Sequence, residues 1–326
     1  PPQAKINLEI RYNKMNLFNR LGSLYGLLGF IMIVFSFIAV FKNTKIIRAI
    51  LKVMLGLVIV GFLLQTFGLA ARWYISGHAP WSDGYESMIY IAWVSMLAGL
   101  IFARKSNMTL AATTILASII LMVAHLSWMN PEITNLVPVL KSYWLTIHVS
   151  IITGSYGFLA LSMLLGFLNL LLMIFRNRKN HINMNNNIAE LTSISERSMT
   201  VGLYMLTVGT FLGGVWANES WGGYWGWDPK ETWALISVLV YSFILHMRWI
   251  PGLRGKFSFN FISVIGFFSI IMTYFGVNFY LSGLHSYATG DPMPIPDFVY
   301  YMVATIAIAG ILAYMKETKF SEKKKK

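Results

Sequence analysis

Cysteine is missing from all 326 residues, which excludes disulfides, thiolate metal ligands and a cysteine nucleophile. Charge is scarce too: Asp, Glu, Lys and Arg make up 12% of the chain, against about 25% in an ordinary soluble domain. Acidic residues are the scarcer sign, 13 against 26 Lys and Arg. No internal repeat, Gly/Ser linker or cleavable signal peptide is evident, the first apolar run being too long and wrongly flanked for a signal. The net charge of +13 does not indicate nucleic acid, because the basic residues form no stripe and sit in short loops between apolar runs.

Hydrophobic residues, by contrast, reach 56%. They gather into nine runs, roughly Phe18–Phe41, Ile50–Ala71, Ser87–Ala103, Thr109–Met129, Leu145–Phe175, Met199–Trp216, Glu231–Met247, Phe261–Leu281 and Phe298–Met315. A hydrocarbon layer of about 30 Å takes about 20 helical residues, and backbone in lipid must satisfy its own hydrogen bonds. The expected fold is all-α, a polytopic transmembrane helical bundle of about nine spans. Its expected parts are an N-terminal outward or interfacial arm (1–16), a transmembrane domain (17–316) and a basic cytoplasmic tail (317–326).

Lys42, Lys45, Arg48 and Lys52 follow the first run, and similar groups follow the third, fifth, seventh and ninth. The alternate loops carry only Arg72, Lys141 and Lys230. The positive-inside rule puts the first set in the cytoplasm and the second outside. Lys5, Arg11, Lys14 and Arg20 break the pattern on the outward side, which predicts a missing upstream segment or an arm on the membrane surface. The Asn-rich stretch Arg176–Arg197 is expected to be a short cytoplasmic surface helix with a loop, its His181 in solvent.

All but two of the 11 tryptophans fall at the outward face: Trp73, Trp81, Trp128, Trp144, Trp216, Trp221, Trp225, Trp227 and Trp233, with Trp93 and Trp249 elsewhere. An interfacial belt would populate both faces, so the excess points to a flat, apolar ligand on the outer side. The densest part is the loop 216–233, which contains Trp221-Gly222-Gly223-Tyr224-Trp225-Gly226-Trp227-Asp228-Pro229-Lys230-Glu231-Thr232-Trp233. Its glycines permit unusual dihedrals close to a planar partner, and its rings can stack or meet edge to face. Asp228 and Glu231 admit two readings, capping of the next helix or a direct ligand or acid–base role. Capping alone is sufficient.

His148 opens the fifth run and His285 lies just past the eighth, so topology puts both beside the tryptophan loop. Two neutral imidazoles facing each other across a porphyrin make a bis-histidine haem site; the alternative is a pair of interfacial polar residues. His246 ends the seventh run near the cytoplasmic face. It is open to two readings, a second haem position or a side chain reaching the inner interface. His78 could line the outer site or fold its loop, the latter being favoured, and His125 is read as a buried hydrogen-bonding residue.

The segment Trp221–Leu235 resembles the tryptophan-rich WWD signature of haem-handling proteins. The contexts of His148, His246 and His285, with the segment Ser76–Glu86, resemble the CcsA/ResC family, the membrane subunit of the System II cytochrome c synthase. The resemblance covers nearly all the chain from the first run onward. It implies that His148 and His285 are the outer axial ligands of haem iron, and that Trp216, Trp221, Trp225, Trp227, Asp228 and Trp233 cradle haem b. It also implies that His246 is one of two transmembrane haem ligands, the other belonging to a CcsB/ResB-like partner, separate or fused upstream. A start at Pro1 and a basic outward arm would suit a break within such a fused polypeptide.

The implied activity is that of a holocytochrome c synthase in the bacterial inner membrane, or the thylakoid membrane, with its active site on the periplasmic face. Haem would cross to the outer site and be joined by thioether bonds to the CxxCH motif of apocytochrome c, with His148 and His285 catalytic. A thiol-reducing pathway would act indirectly, since the thiolate is the nucleophile. A System I-type protein would hand haem to a chaperone. A b-type electron-transfer protein would need histidines stacked on facing helices. A transporter of an unrelated solute would need broken helices and midplane polar residues, and leaves the outer tryptophans unexplained.

Overall fold

A computed structural model describes residues 3–42, 44–103, 106–126, 129–134, 142–283 and 295–325, and among these every regular element is helical. The helices are α1 (Gln3–Met15), α2 (Leu17–Phe41), α3 (Lys45–Ser76), α4 (Gly84–Ala103), α5 (Asn107–Ala124) and α6 (Tyr143–Phe175). They continue with α7 (His181–Trp221), α8 (Pro229–His246), α9 (Lys256–Ile271), α10 (Val277–Tyr280) and α11 (Asp297–Lys325). A π-helical turn, Met272–Gly276, joins α9 to α10. Nine helical stretches among the described residues are long and apolar enough to cross a membrane. The chain is a polytopic, multi-pass helical membrane bundle.

α1 runs on into α2 and α9 into α10, and each of the nine stretches reverses the chain, so the connections alternate between two ends. One end carries the lysine- and arginine-bearing turns; the other carries most of the tryptophans. α6, at 33 residues, is roughly 50 Å long at 1.5 Å per residue, longer than the hydrocarbon layer. α7 departs from the sequence expectation. In place of a short surface helix and a loop, the Asn-rich stretch is the start of one unbroken helix of 41 residues. Asparagine side chains secure that start: Asn185 Oδ1 accepts from Arg176 at 2.8 Å, and Asn183 donates to the Val40 carbonyl at 3.0 Å. His181 is half-buried there. The residues expected as an N-terminal arm form α1, whose Tyr12 is buried in the core.

α6 is the central helix, packed along α7 and against α4, α9 and α11, while α2 packs on α5 and α5 on α4. Lipid chains are as apolar as leucine, so small residues and polar pairs hold such interfaces. At Gly166 of α6 a Cβ would come within 2.7 Å of the Asn260 carbonyl of α9. That approach lets Asn169 donate to Asn260 Oδ1 at 2.7 Å and Asn260 to Thr192 Oγ1 at 2.9 Å. Tyr25, Gln65 and the Ile89 carbonyl make a second buried chain across α2, α3 and α4.

Candidate functional site

At the tryptophan end, α4, α6, α7, α8 and the π-helical turn line an open cavity of about 380 Å³, within the usual range for a small-molecule site. His148 forms part of its wall from the second turn of α6. Its Nδ1 lies 2.9 Å from the Trp144 carbonyl. That acceptor places the proton of the neutral ring on Nδ1 and makes Nε2 the basic nitrogen. The ring is buried and stacked on Trp216 of α7, with centroids 5.4 Å apart and planes 29° from parallel. Residue 213 of α7 faces the same ring: a Cβ there would stand 3.4 Å from His148 Cδ2, an ordinary packing distance.

The loop after α7 folds back over it. Trp221 meets Trp216 edge to face at 4.7 Å, and the Tyr224 carbonyl lies 2.9 Å from where a Gly214 Cβ would be. Trp221 and Trp225 face the cavity. Trp227 does not; it is 68% exposed and sits in left-handed backbone, φ 56°, an uncommon conformation for so large a residue. The carboxylate of Glu231 holds it there by accepting the amides on both sides, Gly226 at 2.8 Å and Asp228 at 3.3 Å. Asp228 Oδ1 in turn accepts from the amides of Lys230 and Glu231. This reciprocal cap, with Pro229 at the first helical position, is the capping box that the Asp-Pro-Lys-Glu spacing predicts.

The opposite wall comes from the start of α4 and the π-helical turn. Tyr274 hydroxyl and Ser87 Oγ are hydrogen-bonded at 2.5 Å, and Tyr274 also donates to the Gly84 carbonyl at 3.0 Å. Lys230 Nζ donates to Asn278 Oδ1 at 2.7 Å and lies 5.7 Å above the Tyr274 ring. Trp81 completes this side, its indole N–H donating to the Thr146 carbonyl at 3.0 Å.

Behind α4 a buried ionic knot fixes the wall. Arg72 Nε meets Glu86 Oε1 at 2.7 Å, each side chain 1% exposed. Arg72 also donates to the carbonyls of Pro131 and Glu132, while Glu86 Oε2 accepts the Ser82 amide at 3.0 Å. Arg72 is therefore a helix residue in an ion pair, not a loop charge as its sequence position implied. Asp83 Oδ1 caps α4 through the Glu86 amide at 2.7 Å. Burial, with the Glu86 carboxylate beside it, pushes the Asp83 carboxyl up to about 6. A carboxyl raised in the fold binds its proton more tightly there than in the unfolded chain. Stability from this group therefore falls as pH rises from 3.8 to about 6 and is level above. Asp83→Asn keeps a capping oxygen and should flatten that slope. Unfolding midpoints of the two purified proteins between about pH 4 and 7 check this; parallel slopes would contradict it.

The structure brings His148, Trp216, Trp221 and Trp225 together at one cavity. Asp228 caps α8 beside them, and Trp227 and Trp233 lie off the wall, Trp233 half-buried with its carbonyl accepting from Thr273. His285 lies outside the described residues. His246 is at the basic end, exposed, its Nδ1 2.6 Å from the Ser242 carbonyl and its ring 4.8 Å from Trp249. Eighteen-residue α8 separates it from the cavity by roughly 25 Å. His78 folds its loop as expected, its nitrogens 3.2 Å from the Ala79 and Thr134 carbonyls. His125 is exposed instead of buried, with Nδ1 2.7 Å from the Leu121 carbonyl. Lys230, Tyr274, Asn278 and Asp83 are cavity residues that sequence reasoning missed. Only the Asp83-Gly84-Tyr85-Glu86 spacing, which repeats the Asp-x-x-Glu pattern of Asp228–Glu231, carried a legible signal.

A family model described as "Cytochrome C assembly protein" matches residues 81–285. Protein NrfI of Wolinella succinogenes is 48% identical over 299 residues, covering 90% of this chain and 32% of that protein. The cytochrome c biogenesis protein CcsA of Prochlorococcus marinus strain SARG is 36% identical over 312 residues, 86% of this chain and 97% of the relative. CcsA of strain NATL2A is 37% identical over 264 residues, 71% of this chain and 83% of the relative. The chain thus spans about a third of NrfI and nearly all of the first CcsA relative.

Proposed function

This chain belongs to the cytochrome c assembly protein family and has a role in cytochrome c biogenesis, and we propose that it does so by holding haem in the cavity at the tryptophan end and presenting it to apocytochrome c. Haem is the substrate in this reading. The observation that carries it is His148: a buried imidazole with its tautomer set by the Trp144 carbonyl, in the wall of an aromatic cavity. A ligand histidine oriented through its other ring nitrogen is the usual arrangement at a metal. Indole faces suit a porphyrin.

His148 is one axial ligand in this proposal, and His285 is the other. Trp216, Trp221 and Trp225 bound the macrocycle, while the exposed Trp227 and the neighbouring Trp233 flank the approach of the polypeptide substrate. Each thioether forms when a thiol adds across a vinyl group: sulfur bonds the carbon next to the ring, the terminal carbon takes the hydrogen, and no electrons are lost or gained. The protein contributes position and electrostatics. With no cysteine in the chain, it cannot trap the substrate in a mixed disulfide. The tryptophan end faces the periplasm, or the thylakoid lumen, as the basic turns at the other end imply. His246, exposed on α8 at that basic end, suits a second haem position completed by a CcsB/ResB-like partner, from which haem passes outward.

Co-expression with a CxxCH apocytochrome, with and without the partner module, tests this. Haem-stained cytochrome that survives denaturing electrophoresis is expected when both modules are present. Haem bound to the membrane protein without any covalent product would instead mark a carrier that hands haem on.

A further inference from the structure

Two hydrogen-bond donors in the cavity wall lack an anionic partner, and their placement bears on how a porphyrin would be oriented. Lys230 Nζ has a neutral acceptor, Asn278 Oδ1 at 2.7 Å, and the Tyr274 ring at 5.7 Å. Among the described residues no carboxylate oxygen lies within 4.0 Å of it. Of the acids nearest in sequence, Asp228 acts on Lys230 only at longer range while its Oδ1 accepts the amides of Lys230 and Glu231, and Glu231 Oε2 accepts those of Gly226 and Asp228. Asp83, across the cavity, is bound to the Glu86 amide and faces Arg72 at 4.0 Å. The second donor is the Trp225 indole N–H, buried and with no acceptor among the described residues. Both side chains line the same cavity. An ammonium drawn out of water with only a neutral acceptor, and a buried N–H with none, are each unfavourable until something supplies negative oxygen. A carboxylate supplies it to both.

Resting on the haem reading above, we propose that Lys230 and the Trp225 N–H bind a propionate carboxylate of the porphyrin and so set its rotation in the cavity. The propionates of haem b lie on the edge opposite the pair of pyrroles that carry the vinyl groups. Anchoring the acidic edge at Lys230 directs the vinyl edge away from α8 and the π-helical turn. Lys230 thus binds and orients the substrate, and no bond forms or breaks there.

The test is an absorbance titration of the purified full-length protein with haem and with haem dimethyl ester, which keeps iron and vinyls but has no carboxylate. Wild type should bind haem at least about tenfold more tightly than the ester. Lys230→Met should lose most of that preference, with ester affinity unchanged from wild type, which also shows that its pocket is intact. Lys230→Arg should keep the preference and Trp225→Phe should reduce it. Equal affinities in wild type, or a full preference retained by Lys230→Met, would overturn the proposal while the haem reading stands. Should neither porphyrin bind wild type, the haem reading fails and this inference with it. If Lys230→Met binds neither porphyrin, the wild-type comparison and Trp225→Phe decide.

Discussion

Replacing His148 with glycine should strip most of the haem from the purified protein, and added imidazole should restore it. The native ring lies between Gly213 and Trp216, in packing contact with the one and stacked on the other. Removing the side chain leaves a space of imidazole's own shape, lined by an indole face on which free imidazole can stack. We expect at least about a tenfold loss of retained haem, equivalent to about 1.4 kcal/mol. Glycine in a helix costs about 1 kcal/mol of its own, but soluble imidazole cannot repair backbone entropy. Rescue therefore separates loss of a ligand from loss of structure. Full haem content in the variant, without imidazole, would exclude His148 as a ligand.

Arg72→Met should be among the most destabilising single changes in the chain. Arg72 and Glu86 are each 1% exposed and paired at 2.7 Å. Removing one partner leaves a carboxylate buried alone, which typically costs about 3–5 kcal/mol. The damage should spread, because Arg72 also holds the Pro131 and Glu132 carbonyls and Glu86 holds the Ser82 amide. Those contacts join the segment after α5 to the turn before α4, which forms part of the cavity wall. Haem retention should fall along with the thermal midpoint. Adding Glu86→Gln removes the isolated charge, so the double variant should recover most of the stability. A double variant as unstable as Arg72→Met would show that the hydrogen bonds to the carbonyls, and not the uncompensated charge, dominate.

How much of this was legible in the sequence divides along physical lines. Apolar runs longer than a bilayer needs leave a chain few options, and α2 through α9 and α11 lie where the runs are. The meeting of His148 with Trp216 follows from counting spans, because alternate turns share an end. The cap at Asp228 could be read from four consecutive residues, since capping is local. α7 could not be read this way: asparagine is a poor helix former, and the continuous helix is favoured by tertiary contacts, the bonds to Arg176 and Val40 across the basic end and the burial of Met184, Ile188 and Leu191 in the core. Helix phase was also hidden. Lys230, Glu231 and Ala234 line the cavity, and at about 100° per residue Trp233 points roughly a quarter-turn away from their mean direction. The π-helical turn, which brings Tyr274 and Asn278 to the wall, left no pattern in the residues that form it. Lys230 stood out in the sequence only as a charge on the sparsely basic side, where it served as a topology marker and nothing more.

A density map of the purified, haem-loaded protein would bear most directly on the site. Porphyrin density is expected between α6, α7 and the 221–228 loop, with iron bonded to His148 Nε2 and Trp216 flanking the ligand ring. Porphyrin bound only at the basic end beside His246, or a cavity filled by the tryptophan side chains themselves with His148 away from any iron, would contradict this.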